Sequence, residues 1–158
     1  MARTSYAIAL GSNRPHGRYG RPEHVLRAAV QAMDELGTVE QVSPIHRTPA
    51  LGPAGRSFAN AAALLASDLD PPALLAALKA VERRFGRRGG RRWGARVLDL
   101  DIILWSEGRF AGAHLRIPHP QMGRRSFVLG PLAEIVPDWP VPGTGRAVRH
   151  LAFRMDRG

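Results

Sequence analysis

The chain has 158 residues, a formal net charge of +10 and no cysteine. This length suits one ordinary domain, and the lack of cysteine excludes disulfides, thiolate nucleophiles, zinc-thiolate sites and iron-sulfur clusters. No apolar run has the ~20 residues of a membrane span or the pattern of a signal peptide, so we expect a single domain over residues 1–158 in the cytoplasm.

Arginine carries nearly all of the positive charge, because Lys79 is the only lysine among the 23 basic residues. The planar guanidinium group matches phosphate oxygens, and a strongly positive field attracts polyanions. Nucleotides and nucleic acids are therefore both candidate partners. A compositional bias in a chain rich in alanine and glycine would give the same arginine count, so the positions of the arginines must decide.

The first part of the chain predicts a strand, a helix and a second strand. Tyr6 to Leu10 alternates weakly and stops at Gly11-Ser12-Asn13, which is typical of a strand that runs into a turn. Apolar residues recur at three- and four-residue steps from Pro22 to Leu36, and Gly37 suits a C-cap, so we predict an amphipathic helix. Val39 to His46 is predicted as a strand.

The middle of the chain predicts a strand, a helix, a loop and a strand. Phe58 to Ala66 is rich in alanine, but it lies between a Pro/Gly loop and a helix start, and we predict a strand. Asp70 and the two prolines after it predict the N-cap and first turn of a helix that closes at Gly86. An arginine-rich loop from Gly86 to Arg96 then precedes Val97 to Leu104, the clearest strand pattern in the chain.

The last part of the chain has weaker patterns. Two short strand-like pieces lead to Ile117-Pro118, and a short helix is predicted near Met122 to Ser126, followed by an apolar run and a tail punctuated by prolines. Two helices interleaved with short strands predict an α+β sandwich, with helices packed on a mainly antiparallel sheet.

Asp99 and Asp101 give the clearest chemical signal. In Leu98-Asp99-Leu100-Asp101-Ile102, strand alternation places both carboxylates on one face, about 6 to 7 Å apart. Mg²⁺ takes one or two protein carboxylates and completes its shell with water and substrate phosphates, and this pair could bridge two such ions. Alternatively, both aspartates face solvent on an exposed strand.

The arginine-rich loop before this strand favours the metal interpretation, because phosphate satisfies arginines and Mg²⁺ together. Trp93 within the loop offers a stacking face or an anchor for a lid. The same loop could instead be a solvated arginine patch or an RNA-binding arm. The sequence contains no GxxxxGK[ST] and no GxGxxG motif, so a nucleotide would be held in another way. The arginines of the loop include Arg87, Arg88, Arg91, Arg92 and Arg96.

Five further residues are candidates for contacts to phosphate or to a heterocycle. His119 lies at a predicted strand end and could donate to a phosphate oxygen, and Arg125 and Phe127 follow it closely. Phe58 and Asn60 lie on one side of their strand, where a phenyl ring and an amide could stack on and hydrogen-bond a flat heterocycle. A surface histidine and ordinary core packing of Phe58 are the alternatives.

Taken in this order, the segments resemble the 6-hydroxymethyl-7,8-dihydropterin pyrophosphokinase family of the folate pathway. The match spans nearly the whole chain, and the ordered set is specific although each motif is modest. The motifs are Gly11-Ser12-Asn13, Arg47-Thr48-Pro49 with Leu51-Gly52-Pro53, Phe58-Ala59-Asn60-Ala61-Ala62, Glu82 with Gly86-Arg87, Arg92-Trp93-Gly94-Ala95-Arg96, Leu98-Asp99-Leu100-Asp101-Ile102, Pro118-His119 and Arg125-Ser126-Phe127-Val128-Leu129.

The resemblance implies a ferredoxin-like fold and transfer of the terminal diphosphate of ATP to the hydroxymethyl group of the pterin, with release of AMP. It implies that Asp99 and Asp101 hold two Mg²⁺ ions, and that the partners are ATP and the pterin rather than a nucleic acid or a membrane. A monomer is expected. The implied nucleotide contacts are Glu82, Arg87, Trp93, Arg96, His119 and Arg125, with Trp93 in a closing loop and with Arg87 and Arg96 catalytic. The implied pterin contacts are Thr48 and Leu51 through backbone groups, Asn60 through its amide, and Phe58 and Phe127 on the two faces of the ring.

The chain departs from the pattern of the family at two places. Ala50 stands where a second proline is common, and the loop before Trp93 is slightly shorter. These differences and the local sequence leave Arg88, His114 and Arg116 without an assigned role.

A nucleic-acid-binding module is the competing class, because a basic ferredoxin-like sheet is also used to read RNA. Against it, the predicted sheet lacks a run of exposed aromatic residues, and the two strand aspartates would repel a phosphate backbone unless metals intervened. An inactive structural relative is a third class, although every expected reactive position is filled.

Overall fold

The computed structural model describes residues 3–12, 20–48, 58–86, 97–124 and 126–157. These stretches alternate strands and helices through most of the chain. The elements are β1 (Thr4–Ser12), α1 (Pro22–Met33), β2 (Thr38–Val42), β3 (His46–Thr48), β4 (Phe58–Ser67), α2 (Pro71–Gly86), β5 (Asp99–Trp105), β6 (Phe110–Ala111), β7 (Arg116–Ile117), α3 (Ser126–Ile135), β8 (Pro140–Val141), β9 (Arg146–Ala147) and α4 (Val148–Arg157).

The main sheet is antiparallel and has the strand order β2–β4–β1–β5, with β3 as an additional strand on β4. The chain order β1–α1–β2–β4–α2–β5 combined with this strand order is the ferredoxin-like arrangement. The predicted α+β fold with a mainly antiparallel sheet is confirmed.

Both faces of the main sheet are covered by helices. On one face, α1 and α2 pack on alternate residues of β1 such as Tyr6, Ile8 and Leu10. On the other face, α3 packs on the sheet over the alternate residues Ala7 and Ala9, and α4 packs on α3. Successive side chains of a strand point to opposite faces, so β1 needs apolar residues at every position. This is why its sequence alternates only weakly.

Helices α1 and α2 begin and end close to the predicted positions. A 3₁₀ turn over Asp34–Leu36 extends α1 to Gly37, where the predicted helix ends. The N–H of Ala73 donates to Oδ1 of Asp70 at 2.9 Å, which is the predicted N-cap of α2.

The strand predicted over Val39 to His46 is divided into β2 and β3. Ser43 still pairs with β4, because its N–H donates to the Ala62 carbonyl at 2.8 Å and its hydroxyl accepts from the Ala62 N–H at 2.9 Å. Pro44 follows and has no N–H to continue the ladder. The chain therefore leaves β4 after Ser43 and returns to it at His46.

Helices α3 and α4 were not predicted. The structure has a 3₁₀ turn over Met122–Arg124 and then α3, which contains Pro131 in its interior. The sequence pattern treats a proline as a helix breaker, but Leu129 and Leu132 on α3 are fully buried against the sheet. Tertiary packing outweighs the local cost of the proline. None of the helices in the described stretches is long and apolar enough to cross a bilayer.

Candidate active site

A cavity of about 420 Å³ opens at one end of the sheet, on the side covered by α3. It brings together five of the predicted site residues, namely Asp99, Asp101, Phe58, Asn60 and Phe127. The remaining lining residues are Ala9, Leu10, Gly11, Ser12 and Val128.

The register of three strands explains why these residues meet. Gly11 of β1 is paired with Asn60 of β4 on one side and with Asp99 of β5 on the other. Ala9 lies next to Asp101 in the same way. Neighbouring strands are about 4.8 Å apart, so the backbones of Asn60 and Asp99 are separated by about 10 Å. A Cβ atom on Gly11 would lie 3.4 Å from Oδ1 of Asn60, so the glycine leaves the floor of the cavity open beside the amide.

Asp99 and Asp101 form the acidic end of the cavity. Both are partly exposed on the cavity face of β5, whereas Leu100 between them is buried in the core under α1 and α2. The described stretches contain no group of three or more His, Asp or Glu side chains that could enclose a metal ion. A pair of carboxylates fits Mg²⁺ when water and phosphate oxygens supply its remaining ligands. The donor set therefore suits a metal bound together with a phosphate compound.

Two phenyl rings and an amide form the other end of the cavity. The side chains of Phe58 and Phe127 are unusually exposed for phenylalanine, at 43% and 49%, while Asn60 is 8% exposed. Exposed aromatic faces lining a cavity favour stacking of a flat ligand, and a buried amide can fix its orientation by hydrogen bonds. This end suits a planar heterocycle with polar edges.

Glu82 lies behind the acidic strand, on the opposite side of the sheet from α3. Its carboxylate accepts from the Leu100 N–H at 2.7 Å and from Nζ of Lys79 at 3.2 Å. Burial raises the pKa of the Glu82 carboxyl group, and the Leu100 N–H and the Lys79 ammonium group oppose this rise. Because Leu100 stands between Asp99 and Asp101, this hydrogen bond fixes the backbone that carries both carboxylates.

His119 lies next to β5 and outside the lining of this cavity. The backbone N–H of His119 donates to the Ile103 carbonyl at 3.0 Å, and the ring Nδ1 accepts from the Gln121 backbone N–H at 3.1 Å. With Nδ1 as the acceptor, the neutral ring carries its proton on Nε2, which can donate to an anionic ligand.

The remaining predicted site residues lie at the margins of the described stretches or beyond them. Thr48 ends β3 directly opposite Phe58, so its backbone is beside the aromatic end of the cavity. The other predicted residues, Leu51, Arg87, Trp93, Arg96 and Arg125, lie outside the described residues.

Five further residues line the cavity without a role that the sequence predicts, namely Ala9, Leu10, Gly11, Ser12 and Val128. A signal was present for three of them, because Gly11 and Ser12 belong to the motif at the end of the first strand and Val128 belongs to the motif around Phe127. Ala9 and Leu10 have no such signal, since only the fold shows which apolar strand residues border a cavity.

The chain matches the family model for 7,8-dihydro-6-hydroxymethylpterin-pyrophosphokinase over residues 7–137. The chain belongs to this family. The matched range includes every lining residue of the cavity. The predicted family is therefore confirmed.

Two curated relatives illustrate the similarity of this chain to known proteins. Both are named 2-amino-4-hydroxy-6-hydroxymethyldihydropteridine pyrophosphokinase. The one from Pseudomonas aeruginosa is 41% identical over 147 residues, which cover 91% of this chain and 85% of that protein. The one from Synechocystis is 44% identical over 118 residues, which cover 75% of this chain and 60% of that protein.

Among solved structures, this chain is similar to a Plasmodium falciparum HPPK-DHPS triple mutant. The TM-score is 0.75 at 12% sequence identity, and the match covers 97% of this chain and 44% of the Plasmodium chain. At this identity the likeness shows the fold alone. The chain thus spans less than half of the Plasmodium protein and 60% of the Synechocystis relative.

Proposed function

We propose that this pyrophosphokinase transfers the terminal diphosphate of ATP to the hydroxymethyl group of 6-hydroxymethyl-7,8-dihydropterin and releases AMP, as a step of folate biosynthesis. The proposal depends on one observation: a single cavity has paired carboxylates at one end and two exposed phenyl rings with an amide at the other. The names of the relatives, which include a folate synthesis bifunctional protein of Arabidopsis thaliana, support the same substrates.

In the proposed reaction the hydroxyl oxygen of the pterin attacks the β-phosphorus of ATP. A bond forms between these two atoms, and the bond from the β-phosphorus to the oxygen that bridges to the α-phosphorus breaks. The bridging oxygen leaves with AMP, and the hydroxyl proton passes to water. The task of the protein is to hold the two substrates in line and to neutralise charge on the phosphates. Carboxylates and aromatic rings on opposite sides of Gly11 support that arrangement.

At the acidic end, Asp99 and Asp101 would hold two Mg²⁺ ions. When bound, the ions would neutralise and orient the triphosphate. Glu82 would fix the strand that carries the two aspartates and so help to position the nucleotide. The remaining nucleotide contacts are proposed for Arg87, Trp93, Arg96, His119 and Arg125, of which Trp93 would belong to a closing loop.

At the aromatic end, Phe58 and Phe127 would stack on the two faces of the pterin, and the amide of Asn60 would hydrogen-bond its edge. Backbone groups of Thr48 and Leu51 would complete the pterin contacts. Residues 1–158 would act as one pyrophosphokinase domain, as a monomer in the cytoplasm.

An assay of the products tests the reaction. Purified protein with ATP, Mg²⁺ and 6-hydroxymethyl-7,8-dihydropterin is expected to form AMP and the pterin diphosphate in equal amounts, measured by phosphorus NMR. The matched control is 6-methyl-7,8-dihydropterin, which lacks the attacking hydroxyl and should give no AMP above background. Formation of ADP would mean that the γ-phosphorus is attacked and would refute the proposal.

The competing nucleic-acid-binding class is favoured by the net charge of +10. An RRM-like sheet would use an open face with exposed aromatic residues. Here α3 packs on the face opposite α1 and α2, which favours the enzyme. Calorimetry that finds tight RNA binding without any pterin binding would support the competing class instead.

A further inference from the structure

Strand β3 is held by ion pairs on both of its faces. The strand has three residues, and its partner among the described strands is β4. Nε of Arg47 lies 3.3 Å from Oε2 of Glu23 on α1. Nε2 of His46 contacts Oε1 of Glu134 on α3. Each of the two helix layers is therefore linked to β3 by one side-chain contact.

Strand alternation places these two ion pairs on opposite sides of the sheet. His46 faces the side of α3, and Arg47 after it faces the side of α1. A strand of three residues has few ladder hydrogen bonds to hold it. The two side-chain contacts are therefore additional links that bear on the position of β3 between the helix layers.

The same two elements carry groups of the aromatic end of the cavity. Thr48 of β3 is paired with Phe58, and Phe127 lies in the first turn of α3. Phe127 and Glu134 are seven residues apart, so they lie on one side of α3 with two helical turns between them. The contact between His46 and Glu134 therefore links the strand beside one phenyl ring to the helix that carries the other.

We propose that His46 and Arg47, with their partners Glu134 and Glu23, are positioning residues for the pterin half of the site. This inference rests on the proposed function. The two ion pairs hold β3 in the position at which the backbone of Thr48 meets the edge of the pterin. They also keep the two phenyl rings at a separation that fits the thickness of the pterin ring. They act on the acceptor and not on the nucleotide, because the Asp99 and Asp101 carboxylates proposed for the nucleotide lie on β5, with β4 and β1 between β5 and β3.

The exposure of the ion pairs separates this role from a general contribution to stability. The side chains of His46 and Glu134 are 45% and 36% exposed, and those of Arg47 and Glu23 are 60% and 17% exposed. Pairs that are this accessible to water contribute little to the free energy of unfolding. The backbone N–H at the start of α1 lowers the pKa of Glu23, and Arg47 lowers it further, so this carboxylate stays charged at neutral pH.

The test compares two double variants. His46→Ala with Arg47→Ala removes both links to β3. The matched control is Arg84→Ala with Glu35→Ala, which removes an exposed pair with a separation of 3.4 Å between α2 and the 3₁₀ turn after α1. Titration calorimetry measures the Kd of the pterin in the presence of a non-hydrolysable ATP analogue and Mg²⁺, and separately the Kd of the analogue. Steady-state assays give KM for each substrate.

For the β3 variant, the Kd and KM of the pterin are expected to rise about fivefold or more, roughly the factor that one or two surface ion pairs can supply. The Kd of the ATP analogue and the thermal midpoint should stay close to wild type, as should all values for the control. A pterin Kd that is unchanged in the β3 variant, or that rises equally in the control, overturns the inference. If the wild type binds the analogue but no pterin, the proposed function fails as well.

A charge-swap variant keeps the inference testable if the double alanine variant does not fold. His46→Glu with Glu134→His restores an ion pair in the reverse direction, and a histidine near the C-terminus of α3 is compatible with the helix dipole. Compared with Glu134→His alone, the swap should recover most of the pterin affinity. Equal pterin Kd values for the two would show that the pair does not position β3.

Discussion

Asp99 and Asp101 are placed by the pairing of β5 with β1, which turns both carboxylates into the cavity and Leu100 into the core. Their position was predictable, because a strand alternates its side chains with a period of two. Phe58 and Asn60 were predictable for the same reason. The role of Gly11 could not be predicted, because it depends on which residues of the neighbouring strands are paired with Gly11.

Removing one carboxylate charge tests the metal role at the scale of single residues. Asp99→Asn and Asp101→Asn keep the size of the side chain but make it a poor Mg²⁺ ligand, and each is expected to lower kcat about 10²- to 10³-fold. The loss should appear in kcat more than in KM if the interaction is strongest in the transition state. The rate of AMP formation at saturating Mg²⁺ measures it.

The matched control for this prediction is Asp138→Asn, an acidic residue with a side chain that is 82% exposed and lies away from the cavity lining. It should keep the wild-type rate, and all three variants should unfold at nearly the wild-type temperature. Normal turnover in both strand variants would remove the metal role from Asp99 and Asp101.

At the scale of elements, local patterns predicted α1, α2 and the strands of the main sheet, because each has a clear period or clear end signals. They failed where tertiary contacts decide. Pro131 lies inside α3 because the buried leucines around it hold the helix against the sheet. The break between β2 and β3 has instead a local cause that the predicted strand ignored, because Pro44 has no N–H to continue the pairing after Ser43. Glu82 bonds to a strand that is 18 positions further along the chain, and a single sequence carries no signal for such a contact.

The contact between α2 and β5 through Glu82 predicts how stability changes with pH. Burial raises the pKa of this carboxyl group above its ordinary value of 4.5, so the folded state holds the proton more tightly than the unfolded state. Between the ordinary and the raised pKa the folded state binds more protons, and stability falls as pH rises, by at most about 1.4 kcal/mol per pH unit. Above the raised pKa this loss is constant. The glutamine side chain of the Glu82→Gln variant cannot titrate, so this variant should not show this loss of stability as pH rises.

Urea denaturation of wild type and Glu82→Gln at several values between about pH 4 and about pH 7 measures this difference. The free energy of unfolding of the variant should become larger relative to that of wild type as pH rises, which means that the variant gains stability relative to wild type. Lys79→Met removes a charge that opposes the pKa rise and should extend the falling part of the wild-type curve to higher pH. A difference between wild type and Glu82→Gln that stays constant with pH would contradict the assigned cause.

At the scale of the whole molecule, the net charge of +10 acts on the two substrates differently. ATP is a polyanion that a positive field attracts from a distance, whereas the pterin is neutral and is recognised only by contact. Long-range attraction is screened by salt, because the Debye length falls from about 10 Å at 0.1 M to about 3 Å at 1 M. The charge of the chain should therefore contribute to capture of the nucleotide and not of the pterin.

Raising NaCl from about 0.1 M to about 1 M is accordingly expected to raise KM for ATP several-fold while KM for the pterin changes less than about twofold. Arg149→Gln with Arg154→Gln lowers the net charge on α4, away from the cavity lining, and should reduce the salt dependence for ATP slightly without changing kcat. If salt raised both KM values equally, the effect would come from a general change in the protein. If KM for ATP did not respond to salt, the arginine content would have no steering role and would reflect composition alone.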